Sequence, residues 1–355
     1  MGIITIIGSG VMGSAMSFPA TDNGHNVRLV GTMLDREIIE QASKTGWHPN
    51  LKRQLPDDIS YFQLESLADA IIGADIIIGG VNSFGVEWFA HEIIPQLPPQ
   101  IPVLSITKGM LNQPDGTLKS YPRYYAEKAS GRLFGAVGGP CTSYELADRD
   151  QTHVCFCGND IDTMNKLKNL LETSYYHISL TTDVEGLECA VALKNVYALA
   201  VTLAIGLSKK KDGMIHYNSQ AALFGQSIRE MRKLLALFGY GSDNIIYGAG
   251  DLYVTVFGGR TRHIGTLLGE GVPITDALKT LEGVTLESLV IATRTAKAVR
   301  VLIAQNRQFA ASQQELTPSD KDFPLLLHVD DLINNGASVN IPWDSFTCDV
   351  TCTTR

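Results

Sequence analysis

The sequence predicts an α/β fold, with a doubly wound parallel sheet in the first half followed by an all-α carboxy-terminal domain. Three observations predict it. Short apolar runs alternate with helical patterns in the first half of the 355 residues, a glycine-rich loop follows the first run, and long helical patterns dominate from about residue 182. Alternating strands and helices form βαβ units, which place helices on both faces of a parallel sheet. We therefore expect two domains, 1–182 and 183–355.

The elements of the first domain alternate regularly along the chain. Apolar runs rich in isoleucine and valine are typical of buried parallel strands. The predicted strands are Ile3–Ile7, Asn26–Val30, Ile76–Val81, Val103–Thr107, Leu133–Val137 and His153–Cys157. The predicted helices between them include Gly13–Asn23, Asp35–Thr45 and Leu64–Ile72.

The second domain is predicted to consist of helices. They are Gly186–Leu207, Ser219–Leu237, Tyr253–Glu270, Pro273–Leu281, Leu286–Gln305 and Lys321–Asn334. The first contains "ECAVALKNVYALAVTLAIGL", which is apolar enough to suggest a membrane span. A lysine near the centre of a membrane helix opposes insertion by roughly 3 kcal/mol, and this stretch carries Lys194. We therefore expect a buried helix, no membrane span and a cytoplasmic protein.

Composition narrows the possible partners. A net charge of −8 and a pI near 5.5 argue against nucleic acid or an anionic membrane as the main partner. The six cysteines show neither a disulfide framework nor a zinc-ribbon spacing, so reduced thiols are expected. Cys348 and Cys352 have no further converging ligands, and no metal site is expected. The first apolar run begins without a basic segment, so no signal peptide is expected either.

The loop "GSGVMG" directly follows the first predicted strand and opens a helix. Its glycines have the spacing G-x-G-x-x-G. In a dinucleotide-binding loop, the first glycine permits a tight turn, the second lets the backbone approach a pyrophosphate, and the third lets helix and strand pack closely. The helix N-terminus then offers N–H groups and a positive dipole end to the phosphates. The predicted dinucleotide contacts in this Rossmann-type domain are Gly8, Ser9, Gly10, Val11, Met12 and Gly13.

The end of the second strand bears on the choice of dinucleotide. An acidic residue there would hold the ribose 2′-hydroxyl of NAD, but "HNVRLVGT" ends in Gly31 and Thr32. Asp35 comes later, and Arg36 beside it could bind a 2′-phosphate. The other interpretation of Arg36 is a solvated residue in the first turn of a helix. The pattern favours NADP, or the use of both NADP and NAD.

Three further stretches place polar residues in apolar or glycine-rich surroundings. They are "LSITKGM" with Lys108, "ECAVALKNVYALA" with Lys194, and "GAGDLYVTVFGGRTRHIG" with Asp251, Thr255, Arg260 and Arg262. With the glycine loop, and with "GGPCTSYE", "NSQAALFGQSIREM" and "LLGEG…LEGV" in the same order, they resemble the cytosolic glycerol-3-phosphate dehydrogenase (NAD(P)+) family. The resemblance covers most of the chain and implies a Rossmann domain followed by a helical substrate domain.

The resemblance implies a reaction and roles for the charged residues. The reaction would be the reversible reduction of dihydroxyacetone phosphate to sn-glycerol 3-phosphate with NAD(P)H. Lys194 would be the general base that removes the hydroxyl proton, and Asp251 would orient it. Burial in an apolar helix favours the neutral amine that a base requires. Lys108, at the carboxyl end of its strand, would polarise the carbonyl oxygen or hold the alkoxide.

The resemblance also implies residues that bind the substrate and the cofactor. The substrate, a small phosphate, would contact Lys108, Asn195, Thr255, Arg260 and Thr261. Beyond the glycine loop, the cofactor would contact Thr32, Ser83, Lys108, Gly139, Cys141, Arg260 and Glu282. Arginine suits a phosphate because its guanidinium donates two parallel hydrogen bonds. The long apolar helices of the second domain could serve a dimer interface as well as a core, and a homodimer is expected.

Three positions depart from the family pattern. Thr261 stands where asparagine usually follows the arginine of the phosphate turn, Asn82 stands where proline is usual, and Cys141 stands where serine or threonine is common. Because of Thr261, a related sugar or polyol phosphate is an alternative substrate. A non-catalytic dinucleotide-binding sensor is a second alternative, but such a protein would not need a buried lysine base.

Overall fold

The structure, a computed structural model, describes residues 1–113, 115, 117–282, 286–310 and 319–346, with the backbone alone for 306–310. Cys348 and Cys352 therefore lie outside the described residues. The chain forms two compact units. The first comprises residues 1–111, 119–192 and 243–254, and the second comprises 112–118, 193–242 and 255–355. The boundary expected at residue 182 stays a prediction.

The first unit is built on an eight-stranded sheet. The strands of the chain are β1 (Ile3–Ile7), β2 (Asn26–Val30), β3 (Trp47–His48), β4 (Arg53–Gln54), β5 (Ile59–Phe62), β6 (Ile76–Gly79), β7 (Val103–Ser105), β8 (Met110–Asn112), β9 (Leu118–Ser120), β10 (Phe134–Gly138), β11 (Thr152–Gly158) and β12 (Tyr176–Thr181). The sheet has the order β12-β11-β10-β7-β6-β1-β2-β5, while β3 pairs with β4 and β8 with β9. All neighbours in the large sheet run parallel except β10 and β11, which are antiparallel. The predicted parallel sheet is thus confirmed in its main part, and β5 and β12 extend it at the two edges.

Both faces of this sheet are covered, because successive side chains of a strand point to opposite faces. Ile76 and Ile78 belong to one buried apolar cluster, while Ile77 between them belongs to another. The helices that cover the faces are α1 (Val11–Ala15), α2 (Ser17–Asp22), α3 (Arg36–Thr45), α4 (Leu67–Ala70), α5 (Val86–Trp88), α6 (Tyr121–Lys128), α7 (Ser143–Ala147) and α8 (Ile161–Leu171). The doubly wound arrangement predicted from the sequence is confirmed.

The described residues from 184 onward are mainly helical, as predicted. The helices are α9 (Val184–Asp212), α10 (Tyr217–Leu237), α11 (Ile245–Phe257), α12 (Gly259–Glu270), α13 (Ile274–Thr280), α14 (Glu287–Ala310) and α15 (Pro324–Asn334). The single helix expected over Tyr253–Glu270 is wrong: α11 ends at Phe257 and α12 begins at Gly259. Gly259 has a φ of +78°, which side-chain-bearing residues rarely adopt, so the chain changes direction there.

Helix α9 is the one described helix long and apolar enough to cross a membrane. In this protein, 89% of the most apolar stretch of α9 is buried inside the fold. A helix that is apolar on all sides is typical of the core of a large soluble protein as well as of a membrane. The expectation of a buried helix is therefore confirmed.

Glycines let α12 approach α9 closely within the second unit. A β-carbon on Gly269 would lie 2.2 Å from the Leu203 carbonyl oxygen, and one on Gly265 would lie 1.9 Å from Thr202 Oγ1. On α9, a β-carbon on Gly206 would lie 2.1 Å from the Thr266 carbonyl oxygen. Residue numbers rise together on the two helices along this contact, so the helices run in the same direction.

Gly269→Ala is expected to destabilise the protein by about 3 kcal/mol, because the added methyl group meets backbone that cannot turn aside. Chemical denaturation measures the change. Gly225→Ala is the matched control, since Gly225 is a helical glycine of α10 whose β-carbon would have no atom within 4 Å. It should stabilise by about 1 kcal/mol, the usual cost of glycine inside a helix. Equal effects of the two variants would contradict the close contact.

Glu230 on α10 is fully buried and joins two helices of the second unit. Its carboxylate accepts hydrogen bonds from the backbone N–H groups of Leu325 and Leu326, at 2.8 and 2.9 Å, at the start of α15. The Tyr197 hydroxyl, at 3.1 Å, and the Gln226 amide, at 3.0 Å, donate to it as well. Burial raises the pKa of Glu230, and the four hydrogen bonds lower it. Burial has the larger effect, and the pKa is about 7.

This carboxyl should make stability depend on pH. Between about pH 4.5 and pH 7 the unfolded chain has released the Glu230 proton while the folded chain still holds it, so the free energy of unfolding falls as pH rises. We expect a loss of about 3 kcal/mol from this group. Denaturant titrations at a series of pH values measure it. Glu230→Gln cannot titrate and should lack this component, although it is less stable because an amide has one oxygen for the donors. The same pH slope in both proteins would rule the assignment out.

Candidate active site

The glycine loop has the shape that a dinucleotide requires. Gly8 has a φ of +110°, and a β-carbon on it would lie 2.7 Å from the Gly80 backbone. A β-carbon on Gly13 would lie 2.1 Å from the Gly8 carbonyl oxygen, so only glycine lets α1 pack this closely on β1. Gly10 differs, because its β-carbon would have no atom within 4 Å. The space beside Gly10 is therefore left open, as close approach of a pyrophosphate requires.

The middle of this loop is held by two side chains. The Ser9 N–H donates to Asp35 Oδ2 at 3.1 Å, and the Ser9 carbonyl oxygen lies 2.8 Å from His48 Nε2. Val11 and Met12 then begin α1. The six loop residues expected from the motif thus lie together, in the turn after β1 and at the start of α1.

The end of β2 differs from the sequence expectation. No carboxylate was expected there, but Asp35 folds back so that its Oδ2 accepts from the Thr32 N–H at 2.9 Å and from Thr32 Oγ1 at 2.8 Å. The Gly31–Thr32 turn makes this possible, because it brings the start of α3 next to the glycine loop. Arg36 is exposed and forms an ion pair with Glu65. The end of β2 therefore carries a carboxylate engaged with backbone and an arginine turned to solvent.

Lys108 lies past the carboxyl end of β7 and is held by two oxygens. Its Nζ donates to Asp251 Oδ2 at 2.6 Å and to the Gly139 carbonyl oxygen at 2.7 Å. Asp251 is 1% exposed and Lys108 is 17% exposed, so the charges are largely shielded from water. Gly139 follows β10, the neighbour of β7, with a φ of +120° that turns its carbonyl towards the lysine. The structure therefore fixes an ammonium group at the carboxyl ends of the strands, where α/β proteins bind ligands.

A buried glutamate lies in the same unit. Glu188 on α9 is fully buried, and neither of its carboxyl oxygens has a hydrogen-bond partner among the described residues. Burial raises the pKa of Glu188 well above its usual range, the neighbouring Glu185 raises it further, and the Lys108 charge acts in the opposite direction. Glu188 is therefore held as a neutral acid, and it adds no negative charge to the Lys108–Asp251 pair.

The loop after β6 shows what the asparagine in place of proline does. Asn82 Oδ1 accepts hydrogen bonds from the N–H groups of Phe84 and Gly85, both at 3.1 Å. This side chain closes the turn that carries Ser83 and leads into α5. Cys141, two residues after Gly139, is half-buried. The contacts of Ser83 and Cys141 with a cofactor stay predictions.

The second unit contains the other predicted residues. Lys194 is half-buried and Asn195 is buried on α9. Arg260 is exposed and Thr261 is buried in the first turn of α12. Thr255 is half-buried on α11, and Glu282 is exposed just after α13.

The close packing of α9 on α12 shows where Asn195 on α9 and Thr261 on α12 lie relative to each other. Gly269 lies against Leu203, and Gly265, one turn earlier, lies against Thr202. Because the two helices run in the same direction, the turn before Gly265 carries Thr261, and the corresponding turn of α9 carries Asn195. The helix pair therefore brings the expected phosphate turn to the same end of the second unit as Lys194.

Each unit, taken by itself, contains groups of the kind that hydride transfer to or from a phosphorylated alcohol needs. The first unit provides a dinucleotide loop and a shielded ammonium group, and the second provides a half-buried amine and a guanidinium near a helix start. The orientation of Lys194 by Asp251 stays a prediction. His48 and Asp35 were missed as members of the loop. The signal available was weak: a histidine shortly after a predicted helix, with no motif around it.

Two family models match the chain. One is described as NAD-dependent glycerol-3-phosphate dehydrogenase N-terminus and matches residues 3–164, and the other is the C-terminus of the same family and matches residues 183–342. The NADP(+)-dependent glycerol-3-phosphate dehydrogenase of Archaeoglobus fulgidus is 34% identical over 283 residues, which cover 79% of this chain and 84% of that protein. The glycerol-3-phosphate dehydrogenase (NAD(P)+) of Mycobacterium avium is 26% identical over 355 residues, covering 98% and 94% of the two chains.

Solved structures share the fold. The glycerol-3-phosphate dehydrogenase of Plasmodium falciparum superposes with a TM-score of 0.79 at 19% identity, covering 98% of this chain and 95% of that one. The enzyme from Coxiella burnetii superposes with a TM-score of 0.76 at 21% identity, covering 97% of each chain. In each, the likeness covers nearly the whole chain.

Proposed function

The chain belongs to the NAD-dependent glycerol-3-phosphate dehydrogenase family, and we propose that it interconverts dihydroxyacetone phosphate and sn-glycerol 3-phosphate by hydride transfer with NAD(P). The observation that carries the proposal is the largely shielded Lys108–Asp251 pair, whose lysine follows a strand of the same sheet as a glycine loop shaped for a dinucleotide. A purely structural ion pair would have no reason to lie at the ligand-binding edge of that sheet.

The residues have the following roles in the proposed reaction. The dinucleotide, when bound at the glycine loop, accepts or supplies the hydride. Lys194 takes the hydroxyl proton of glycerol 3-phosphate onto its neutral amine, and in the reverse direction its ammonium group returns that proton to the oxygen. Lys108 stabilises the negative charge on the same oxygen. Arg260, with Thr255, Thr261 and Asn195, binds the phosphate end of the substrate.

The direct test is the oxidation of NADPH and of NADH by the purified chain with dihydroxyacetone phosphate. Turnover with at least one of them is expected, and glycerol 3-phosphate should be the product. Absence of turnover with both dinucleotides would refute the proposal. If either dinucleotide still binds, a cofactor-binding sensor would be the remaining explanation.

Thr261 favours one alternative substrate. It is buried in the first turn of α12, where a hydroxyl replaces the amide usual in the family. A longer sugar or polyol phosphate would find a different set of hydrogen-bond partners there. A panel of phosphates distinguishes the two: a much higher kcat/KM for another phosphate would decide against dihydroxyacetone phosphate.

We propose that both NADP and NAD are used and that Arg36 favours NADP. Arg36→Ala should raise KM for NADPH about tenfold and leave KM for NADH within about twofold, because only NADPH carries a 2′-phosphate. Glu65→Ala is the matched variant, since it removes the ion-pair partner of Arg36. It should lower KM for NADPH, because the Arg36 guanidinium no longer pairs with a carboxylate. Equal changes for the two dinucleotides would show that Arg36 is only a solvated surface residue.

We further propose that the protein is cytoplasmic and homodimeric. The buried position of α9 supports a soluble protein, and the homodimer rests on the long apolar helices of the second domain, which could also serve an interface. Sedimentation equilibrium of the purified chain measures the assembly directly, and a mass close to 38.6 kDa, that of one chain, would show a monomer.

A further inference from the structure

Both backbone polar groups of Ser9 in the glycine loop are held by side chains. The Ser9 N–H donates to Asp35 Oδ2 at 3.1 Å. The Ser9 carbonyl oxygen lies 2.8 Å from Nε2 of His48, whose ring is fully buried. The Ser14 hydroxyl donates to the same carbonyl oxygen at 3.2 Å. The backbone groups of Ser9 are therefore fixed in orientation before any ligand binds.

The hydrogen bonds of His48 determine its tautomer. The Leu51 N–H donates to Nδ1 at 2.9 Å, so Nδ1 carries no proton. The single ring proton of the neutral imidazole is then on Nε2, which donates it to Ser9. Burial lowers the pKa of His48, which keeps the ring neutral. Both ring nitrogens thus have a partner, one in the hairpin turn between β3 and β4 and one in the glycine loop.

The direction of the Ser9 carbonyl has a consequence for the next residue. A trans peptide is planar, so its N–H points opposite to its C=O. Since the Ser9 carbonyl points to His48, the Gly10 N–H points away from the hairpin. Gly10 is the position with open space beside it. Its N–H is one of the groups from which a pyrophosphate would accept a hydrogen bond.

We propose that His48 is a positioning residue of the dinucleotide site, which holds the Ser9 carbonyl and thereby aims the Gly10 N–H at the bound pyrophosphate. This proposal rests on the proposed function only for the presence of a dinucleotide, not for the identity of the substrate. Asp35 is its counterpart at the N–H of the same residue. Because His48 contacts the loop and not the reacting atoms, it should act on the binding of the dinucleotide and not on the chemical step.

Two conservative variants separate the two hydrogen bonds of His48. In His48→Asn, the amide oxygen takes the position of the histidine Nδ1 and can accept a hydrogen bond from the Leu51 N–H. No atom of this shorter side chain reaches the Ser9 carbonyl oxygen. In His48→Gln, the amide nitrogen takes the position of the histidine Nε2 and can donate a hydrogen bond to the Ser9 carbonyl oxygen. We expect the dissociation constants of NADPH and NADH, measured by calorimetry, to rise about tenfold in His48→Asn, and to stay within about threefold of the native value in His48→Gln.

The steady-state constants should show the same division. In His48→Asn, KM for the dinucleotide should rise about tenfold, while kcat and KM for the phosphate substrate stay within about twofold. His25→Ala is the matched control, because His25 also accepts a backbone N–H, that of Gly2 at 3.0 Å, at the opposite end of β1. It should lower thermal stability and leave dinucleotide binding unchanged.

Three results would overturn the proposal. They are unchanged dinucleotide binding in His48→Asn, equal losses in the Asn and Gln variants at equal thermal stability, and a loss in His25→Ala as large as in His48→Asn. If His48→Asn does not fold, His48→Gln and Ser14→Ala decide, because Ser14 donates to the same carbonyl: Ser14→Ala should weaken binding by about threefold. Calorimetry needs no substrate, so a failure of the proposed reaction would appear as absent turnover with binding intact.

Discussion

Lys194→Met is expected to lower kcat about a thousandfold, because it removes the group that accepts and returns the substrate proton. Methionine keeps most of the apolar stem of lysine, so the packing of α9 should change little. Dinucleotide binding, measured by calorimetry, should stay within about twofold, since the glycine loop belongs to the other unit. Addition of a small primary amine to the assay should restore part of the lost rate.

The control for this variant is on the same helix. Lys211 is exposed near the end of α9, and Lys211→Met removes the same charge without touching the proposed chemistry. Its kcat should equal that of the native chain. If Lys194→Met retains more than about a tenth of the native kcat, another group is the base and the role given to Lys194 is wrong.

Asp251→Ala is expected to cost about 3 kcal/mol of stability, because it leaves the Lys108 ammonium group shielded from water without its carboxylate. The kcat/KM should fall about a hundredfold as well, since the lysine loses one of the two groups that fix its position. Chemical denaturation and steady-state kinetics measure the two effects separately.

A double-mutant cycle with Lys108→Met tests whether the two residues act as a pair. The activity of the double variant should be close to that of Lys108→Met alone, and part of the stability lost in Asp251→Ala should return because no unpaired charge is left. Glu40→Ala provides the comparison. It breaks the exposed pair with Lys44 at 2.8 Å and should leave stability and activity unchanged. Additive losses in the cycle would mean that the ion pair has no shared function.

The fold was predictable where local patterns decide it. The isoleucine runs at Ile3–Ile7 and Ile76–Gly79 are strands because their side chains are buried on both faces of the sheet, which a continuous apolar run indicates. The strand Ile59–Phe62 was missed because "ISYF" mixes polar and apolar residues at an edge of the sheet. The break between α11 and α12 was missed because helical periodicity continues through the glycines at 258 and 259.

The candidate site was predictable to a similar extent. The glycine loop and Lys108 follow strands directly, so their placement at the sheet edge could be inferred from the chain order. The contacts of Asp35 and His48 with Ser9 could not, because they join residues 26 and 39 positions apart through a turn and a hairpin. Contacts of this kind depend on how the crossover folds back, and no short pattern encodes that.

The glycines between α9 and α12 have a consequence for how mutational tolerance is interpreted. Gly206, Gly265 and Gly269 contact no ligand in the proposed reaction, yet a β-carbon at each would lie within 2.2 Å of an atom of the partner helix. In a scan of all substitutions they should accept as few replacements as Lys194 or Asp251. A ranking of positions by intolerance alone would therefore place three packing residues among the catalytic ones. Only an assay that separates abundance from turnover would tell the two groups apart.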